Sequence, residues 1–237
     1  HRPASMAPIG GFLVKSLLEV VQKENIPVFN KVKVNKLLQD DEGKVIGVEA
    51  NADGLIKIIH AKAVILATGG FGASKEYMKR FRPDLADYKT TNQPGATGDG
   101  LKLAEGVGGE LMQMDLVQVH PTVQQDNPHV YLIGEAVRGE GAIMVNAEGN
   151  RFVNELNTRK IVSNAITSLP EHSAYLIFDQ GIRDHAKAIE FYDKVGLVVH
   201  GDTIEDLAKN LNMDTENLKQ TVATWNEAVE NHDDKEF

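Results

Sequence analysis

Five side chains have the types and spacing to do chemistry together. His120 lies in VQVHPT, Glu135 and Arg138 stand three apart in LIGEAVRGEG, and Arg151 and Arg159 follow in NRFVNE and NTRK. An arginine presents a planar fork of donors that matches a carboxylate. A histidine can donate, accept or carry a proton near neutral pH. A carboxylate three residues from an arginine can meet it side by side. Gathered in one place, these groups make an anion site. Taken singly, each reads as readily as a structural ion pair, a solvated surface charge or a buried histidine with a satisfied neighbour. The pattern alone therefore leaves anion binding and structural pairing both open, and names no reaction.

Two glycine-rich segments are the other candidates. ATGGFG follows an apolar run and ends it in paired glycines, which permit tight turns and close backbone approach. It is not a full G-x-G-x-x-G, so an ordinary strand-to-loop turn is an equal reading. TTNQPGATGDG places three glycines, a proline and Asp99 within eleven residues. Such a loop can hold a ribose or a flavin ring with backbone amides and one carboxylate, or it can be a surface turn.

The elements that must position these groups can be read from periodicity. Residues 10–22 space Phe12, Leu13, Ser16, Leu17, Val20 and Val21 as one face of a helix. IPVFN reads as a strand, and 33–38 as extended. DDEG (40–43) is a turn, and KVIGVEA and LIKIIHA flank ADG as a hairpin. The unalternating run AVILATGG (63–70) predicts a strand buried on both faces, as in a parallel sheet. After Thr91 a short helix, LKLAEGVG, follows the glycine loop. GELMQMD, VYLIG, AIMVN, RFVN and SAYLIFD read as strands, and TRKIVSNAITSL as a helix. Two helices close the chain, with Thr203 and with Asp214 or Thr215 as caps. No internal repeat, low-complexity tract or flexible linker is present, and the loop near 92–100 is the best place for a domain boundary.

Composition excludes several functions. The 237 residues carry 25 Lys+Arg against 34 Asp+Glu, a formal net charge of −9, which argues against a nucleic-acid binder. With no cysteine, disulfide scaffolds and thiolate metal sites are impossible. The eight histidines form no H-x-x-x-H or H-E-x-x-H, so no metal is expected. No G-x-S-x-G supports a serine hydrolase, and no apolar run approaches the ~18–20 residues of a membrane-spanning helix. The acidic stretch from Asp202 to Asp234 is most simply a solvated face.

The series HRP, ATGGF, TTNQPGATGDGL, HPT, GEAVRGEGAIMVN, GNRFVNELNTR and AYLIFD, with its spacing, resembles the flavoprotein of soluble fumarate reductases. These include flavocytochrome c and urocanate reductases, with succinate dehydrogenase flavoproteins as more distant kin. The resemblance runs essentially the whole length and rests on several motifs together. It implies a fold class of α/β plus α+β, in which the later part of a Rossmann-like FAD-binding domain (1–114) is joined to an α+β capping, or clamp, domain (115–237). Substrate would lie between the two domains. The family's opening G-x-G-x-x-G and its closing HHTMGG-like and GANR-like segments are not in this sequence. The chain is thus expected to be an internal piece of a longer protein, binding FAD weakly and lacking reductase activity by itself.

The resemblance also implies roles. Asp99 would contact FAD, the backbone at Lys33 would lie near the adenine, and Ala67, Thr68 and Gly69 would line the same cofactor side. His120 would bind a substrate carboxylate, Arg159 would protonate the substrate, and Glu135 and Arg138 would relay protons to it. Gly134 stands where the family often has a threonine whose hydroxyl touches substrate. That departure implies a weaker or water-filled fumarate contact, or a different or bulkier enoate. Lys160 replaces a common aspartate. The implied reaction is reduction of fumarate to succinate, with hydride from flavin N5 and a proton from the arginine. The alternatives are reduction of another enoate such as urocanate, or a non-catalytic domain. The implied partners are a small dicarboxylate and an electron-donor domain or protein, whose identity the sequence does not fix.

Overall fold

The computed structural model describes residues 9–237; the HRP motif at the start lies outside them. The chain divides into two compact units. One comprises the described residues up to Gly70 together with Gly98–Met112, and the other comprises Phe71–Thr97 with Gln113–Phe237.

The first unit opens with α1 (Ile9–Lys23), the helix the spacing predicts, although its apolar face, expected to meet a core, has no buried residue, and continues into a three-stranded antiparallel sheet. Its strands are β1 (Val32–Gln39), β2 (Val45–Ala52) and β3 (Leu55–His60), in the order β1-β2-β3. Asp40 Oδ1 closes the β1–β2 turn by accepting from the Glu42 and Lys44 amides, at 3.1 and 2.9 Å. At the β2–β3 turn, Asp53 (φ 51°) and Gly54 (φ 81°) both take positive φ, as a two-residue turn matched to strand twist requires.

Two expected strands are not formed. IPVFN is irregular, and Phe29 is largely exposed. AVILATGG forms no strand pairing, and Ile65 is 89% exposed. A strand needs a neighbour to satisfy its N–H and C=O groups, and no described residue offers one here. All strand pairs among the described residues are antiparallel, so the parallel sheet expected around 63–70 is not observed.

The second unit contains α2 (Lys75–Phe81), and α3 (Asp99–Glu105), which follows the glycine loop, belongs to the first. Beyond Gln113 come two short strands, β4 (Val123–Gln124) and β5 (Tyr131–Leu132), then α4 (Ala136–Gly139) and β6 (Ile143–Val145). They are followed by α5 (Arg159–Thr167), β7 (Tyr175–Ile177), α6 (Gln180–His185), α7 (Ala188–Lys194), α8 (Ile204–Leu211) and α9 (Thr215–Asn231). GELMQMD is not a strand, and RFVN contributes only one bridge, Arg151 to Val145. Thr203 and Asp214 cap α8 and α9 through their side-chain oxygens, as their sequence positions predict.

The core of this unit is built around β6, whose three residues are all buried. Alternation along a strand sends neighbours to opposite faces. Ile143 and Val145 accordingly pack with Ala208, Met213 and Leu218 from the α8–α9 side. Met144 packs with Val153, Val162 and Ile166, which brings α5 onto the other face. A third cluster joins Val137 of α4 to Ala142, Ala186, Ile189 and Tyr192. Both α4 and α5 are thereby fixed against one small sheet, and these two helices carry the candidate site.

Candidate active site

The candidate site lies within the second unit. The HPT loop is tied to the segment after β5 by two hydrogen bonds. Ile133 N donates to Thr122 O at 2.9 Å, and Thr122 Oγ1 donates to Ile133 O at 2.6 Å. Ser163 of α5 donates to Val119 O at 3.3 Å. Residues 118–122 are therefore held between the start of α4 and the body of α5. Thr158 caps α5 by accepting from Ile161 N, which sets Arg159 at the first helical position.

Three of the sequence-selected groups meet here. Arg159 Nε donates to Glu135 Oε1 at 2.5 Å, and the same oxygen lies 3.6 Å from His120 Nε2. Arg159 Nη1 donates to Gln118 Oε1. The guanidinium is thus gripped at two edges by a carboxylate and an amide. Gln118 was not singled out from the sequence; the only signal was its place two residues before His120 in an otherwise apolar stretch. Hydrogen bonding from Arg159 holds the Glu135 carboxyl below its ordinary pKa despite some desolvation, although both side chains keep nearly half their surface exposed.

Burial pushes His120 below its ordinary pKa, while Glu135 pulls it upward. His120 Nδ1 accepts from the Thr122 amide at 3.3 Å. In the neutral ring the proton then sits on Nε2, the nitrogen facing Glu135.

Arg138 does not meet Glu135 side by side, as their spacing suggested. Its side chain turns inward and Nη1 donates to the Glu155 carbonyl at 2.5 Å. Arg138 is 5% exposed, and its buried Nε has no hydrogen-bond partner among the described residues. Burial lowers its pKa, with Glu135 opposing through space. The reason for the inward turn is the neighbouring Glu155. Its carboxylate is pinned by Arg151 (Nε–Oε1 2.9 Å, Nη2–Oε2 2.8 Å) and by the Met144 amide (2.8 Å). Arg151 also pairs with Asp234 and lies over the Trp225 and Phe237 rings. Arg151 is therefore a structural anchor, the plainer of its two sequence readings.

Gly134 precedes Glu135, and its amide donates to Tyr192 Oη at 2.9 Å. Lys160 is the second residue of α5.

The residues selected for cofactor contact fall together in the first unit. Lys33 and Asp99 line one cavity of about 300 Å³, together with Leu37, Lys102, Leu103 and Val107. Apolar side chains with one carboxylate and three ammonium groups (Lys33, Lys36 and Lys102) fit part of a dinucleotide, which offers a flat ring, hydroxyls and phosphate. Ala67, Thr68 and Gly69 lie in the segment running into Gly70, and Gly69 takes φ +74°. A Cβ at Gly100 would overlap Thr68 Oγ1, so the start of α3 passes directly against Thr68. Among the described residues no helix is long and apolar enough to cross a membrane, and no cluster of His, Asp and Glu is placed to hold a metal.

Known proteins resemble this chain over its whole length. The NADH:fumarate oxidoreductase of Klebsiella pneumoniae (strain 342) is 40% identical over 238 residues, covering 100% of this chain and 25% of that protein. The NADH:acrylate oxidoreductase of Vibrio harveyi is 34% identical over 248 residues, covering 100% of this chain and 24% of that protein. The open conformation of a flavocytochrome c3 fumarate reductase superposes with a TM-score of 0.77 at 37% identity, covering 100% of this chain and 42% of that one. The chain thus spans from 24% to 42% of the length of these relatives. The family model described as FAD binding domain matches residues 1–236, and the chain belongs to that FAD-binding family.

Proposed function

We propose that this chain is part of an FAD-dependent reductase of α,β-unsaturated dicarboxylates, converting fumarate to succinate. The observation that carries the reading is the two-edged grip on Arg159 by Glu135 and Gln118, with His120 beside the same carboxylate. Lys33 and Asp99, with Ala67, Thr68 and Gly69, would hold FAD, which when bound and reduced would supply the hydride.

The protein's own groups do the rest. Arg159 gives a proton to the second alkene carbon, and its guanidinium offsets the negative charge that develops on the substrate. An arginine parts with a proton reluctantly, so it must be re-protonated at once. Glu135, already hydrogen-bonded to Nε and open to solvent, is placed to return a proton that it first takes up from water, and then reverts to the carboxylate. The hydrogen bond from Arg159 favours that ionised resting form, and Arg138 supports the relay through space. His120, neutral and bearing its proton on Nε2, donates to a substrate carboxylate. The grouping of Gln113–Phe237 in one unit supports a capping domain beginning near 115, whereas residues 71–97, expected in the FAD part, group with that unit instead.

Gly134 favours a second reading on the same chemistry, in which the substrate is another enoate such as urocanate. A threonine hydroxyl is lacking at that point, and room is gained.

The test is Arg159→Ala in the intact flavoprotein. Fumarate reduction should vanish while flavin remains stoichiometric; undiminished turnover would overturn the assignment of Arg159. A panel of fumarate, acrylate and urocanate decides between the two substrates, and a wild-type protein inert to all three would point to a non-catalytic domain.

A further inference from the structure

Tyr192 places a second polar group against Gly134. Its ring is packed in the cluster of Val137, Ala142, Ala186 and Ile189, and stands edge-on to Phe191. The residue is only 9% exposed, so the position of its oxygen is fixed. That oxygen accepts the Gly134 amide at 2.9 Å. The hydroxyl proton has no acceptor among the described residues. Buried hydroxyls ordinarily satisfy their donor, because leaving it unpaired costs free energy.

Gly134 also decides what stands beside that unspent donor. Apart from chain neighbours, a Cβ built at 134 would meet one heavy atom within 4 Å, Tyr192 Oη at 3.6 Å. A side chain at 134 would project alongside this hydroxyl, and glycine leaves that one side of it uncovered. The next residue is Glu135, which holds Arg159 and faces His120.

We infer that the Tyr192 hydroxyl is a specificity-determining donor, giving its hydrogen bond to an acceptor on the end of the enoate remote from the carboxylate shared by all substrates of the class. In fumarate that acceptor is the second carboxylate. Gly134 keeps the donor accessible. The inference rests on the enoate-reductase reading above. A purely structural hydroxyl, serving only the Gly134 amide, would be indifferent to which substrate is bound.

The experiment compares Tyr192→Phe with wild type in the intact flavoprotein. Fumarate (or urocanate, if that is what the enzyme turns over) is set against acrylate, which has no distal acceptor and is followed as substrate or as competitive inhibitor. The expected result is a fall of roughly 10- to 100-fold in kcat/KM for the acceptor-bearing substrate, the size of one hydrogen bond to a charged group. The fall should be carried mainly by KM, with the acrylate constant and the flavin content unchanged. Gly134→Ala, whose methyl stands in van der Waals contact with the hydroxyl, should weaken the same substrate selectively without removing the donor. An equal loss for both ligands, or no loss for either, overturns the inference while the reductase reading stands. A wild-type protein that reduces none of the three enoates overturns that reading and this inference with it.

Discussion

Arg159 and Glu135 are joined nitrogen to oxygen at 2.5 Å, although 24 residues separate them in the chain. The contact exists because α4 and α5 pack on the same small sheet through Val137 on one and Val162 and Ile166 on the other. A cation fixed at its Nε edge by Glu135 and at Nη1 by Gln118 has one nitrogen left, Nη2, to present to a ligand.

The carboxylate sets the protonation of its neighbours, and this can be measured. Burial lowers the His120 pKa and Glu135 raises it, so Glu135→Gln should move the His120 midpoint further below 6.5. An NMR titration of the ring resonances in both forms of the protein checks this; an upward shift would contradict the geometry. The linkage to stability has a definite sign. A histidine with a lowered native pKa binds fewer protons folded than unfolded, so stability falls as pH drops below about 6.5. Glu135, whose native pKa is also lowered, contributes stability above the ordinary carboxyl range that is lost at still lower pH, as it protonates.

Gln118 should act on rate rather than binding. Gln118→Ala leaves Arg159 held at one edge, free to swing about the Glu135 contact. Misplacing a reacting group by about 1 Å can cost on the order of 100-fold. A kcat reduced by roughly 10- to 100-fold, with KM and flavin content near wild type, is the expected outcome in steady-state assays. A change in KM alone would place Gln118 in binding instead.

These relations also mark what the sequence can and cannot reveal. Helical periodicity and caps were enough for α1, α8 and α9, because both signals are local. The β2–β3 hairpin was readable from Asp53–Gly54 for the same reason. AVILATGG misled, since an apolar β-branched run looks the same whether or not a partner strand is present to pair with it. His120, Glu135 and Arg159 were recognisable through side-chain chemistry and family resemblance. Gln118 and Tyr192 were not, because an amide and a phenol carry no chemical signature until the fold sets them beside Arg159 and Gly134. The inward turn of Arg138 was equally hidden. It depends on a carbonyl that only the Arg151–Glu155 pair brings into reach.

That pair should be a point of high stability cost. Arg151 and Glu155 keep 2% and 4% of their side-chain surface, and Arg151 is held protonated by hydrogen bonds to Glu155 and Asp234 that outweigh its burial. Arg151→Ala leaves a buried carboxylate with only the Met144 amide for company. Removing one member of a buried pair costs about 3–5 kcal/mol, readable in a denaturant unfolding curve. The double variant Arg151→Met with Glu155→Gln should lose less than the sum of the single losses, because neither then strands a charge. Arg138 loses its anchor as well, so any residual activity of Arg151→Ala should be lower than its folded fraction alone predicts.

The start of α3 gives a parallel test for the cofactor unit. Gly100 is buried, and a Cβ there would overlap Thr68 Oγ1 and stand 3.1 Å from Thr68 Cβ. Rotating the threonine exchanges oxygen for methyl without clearing Cβ, so Gly100→Ala must push α3 away from the 63–70 segment. Overpacking of this kind costs about 1–3 kcal/mol. The displaced helix carries Asp99, Lys102 and Leu103, which line the cavity with Lys33, and the cavity should change shape as it moves. In the intact flavoprotein, Gly100→Ala should therefore hold less FAD per chain than wild type by absorbance. Thr68→Ala removes the overlapping oxygen, so the double variant should regain flavin relative to Gly100→Ala alone. If Gly100→Ala binds flavin normally, the cavity beside α3 is not part of the cofactor site. If the double variant shows no recovery, contact with Thr68 is not what fixes the helix.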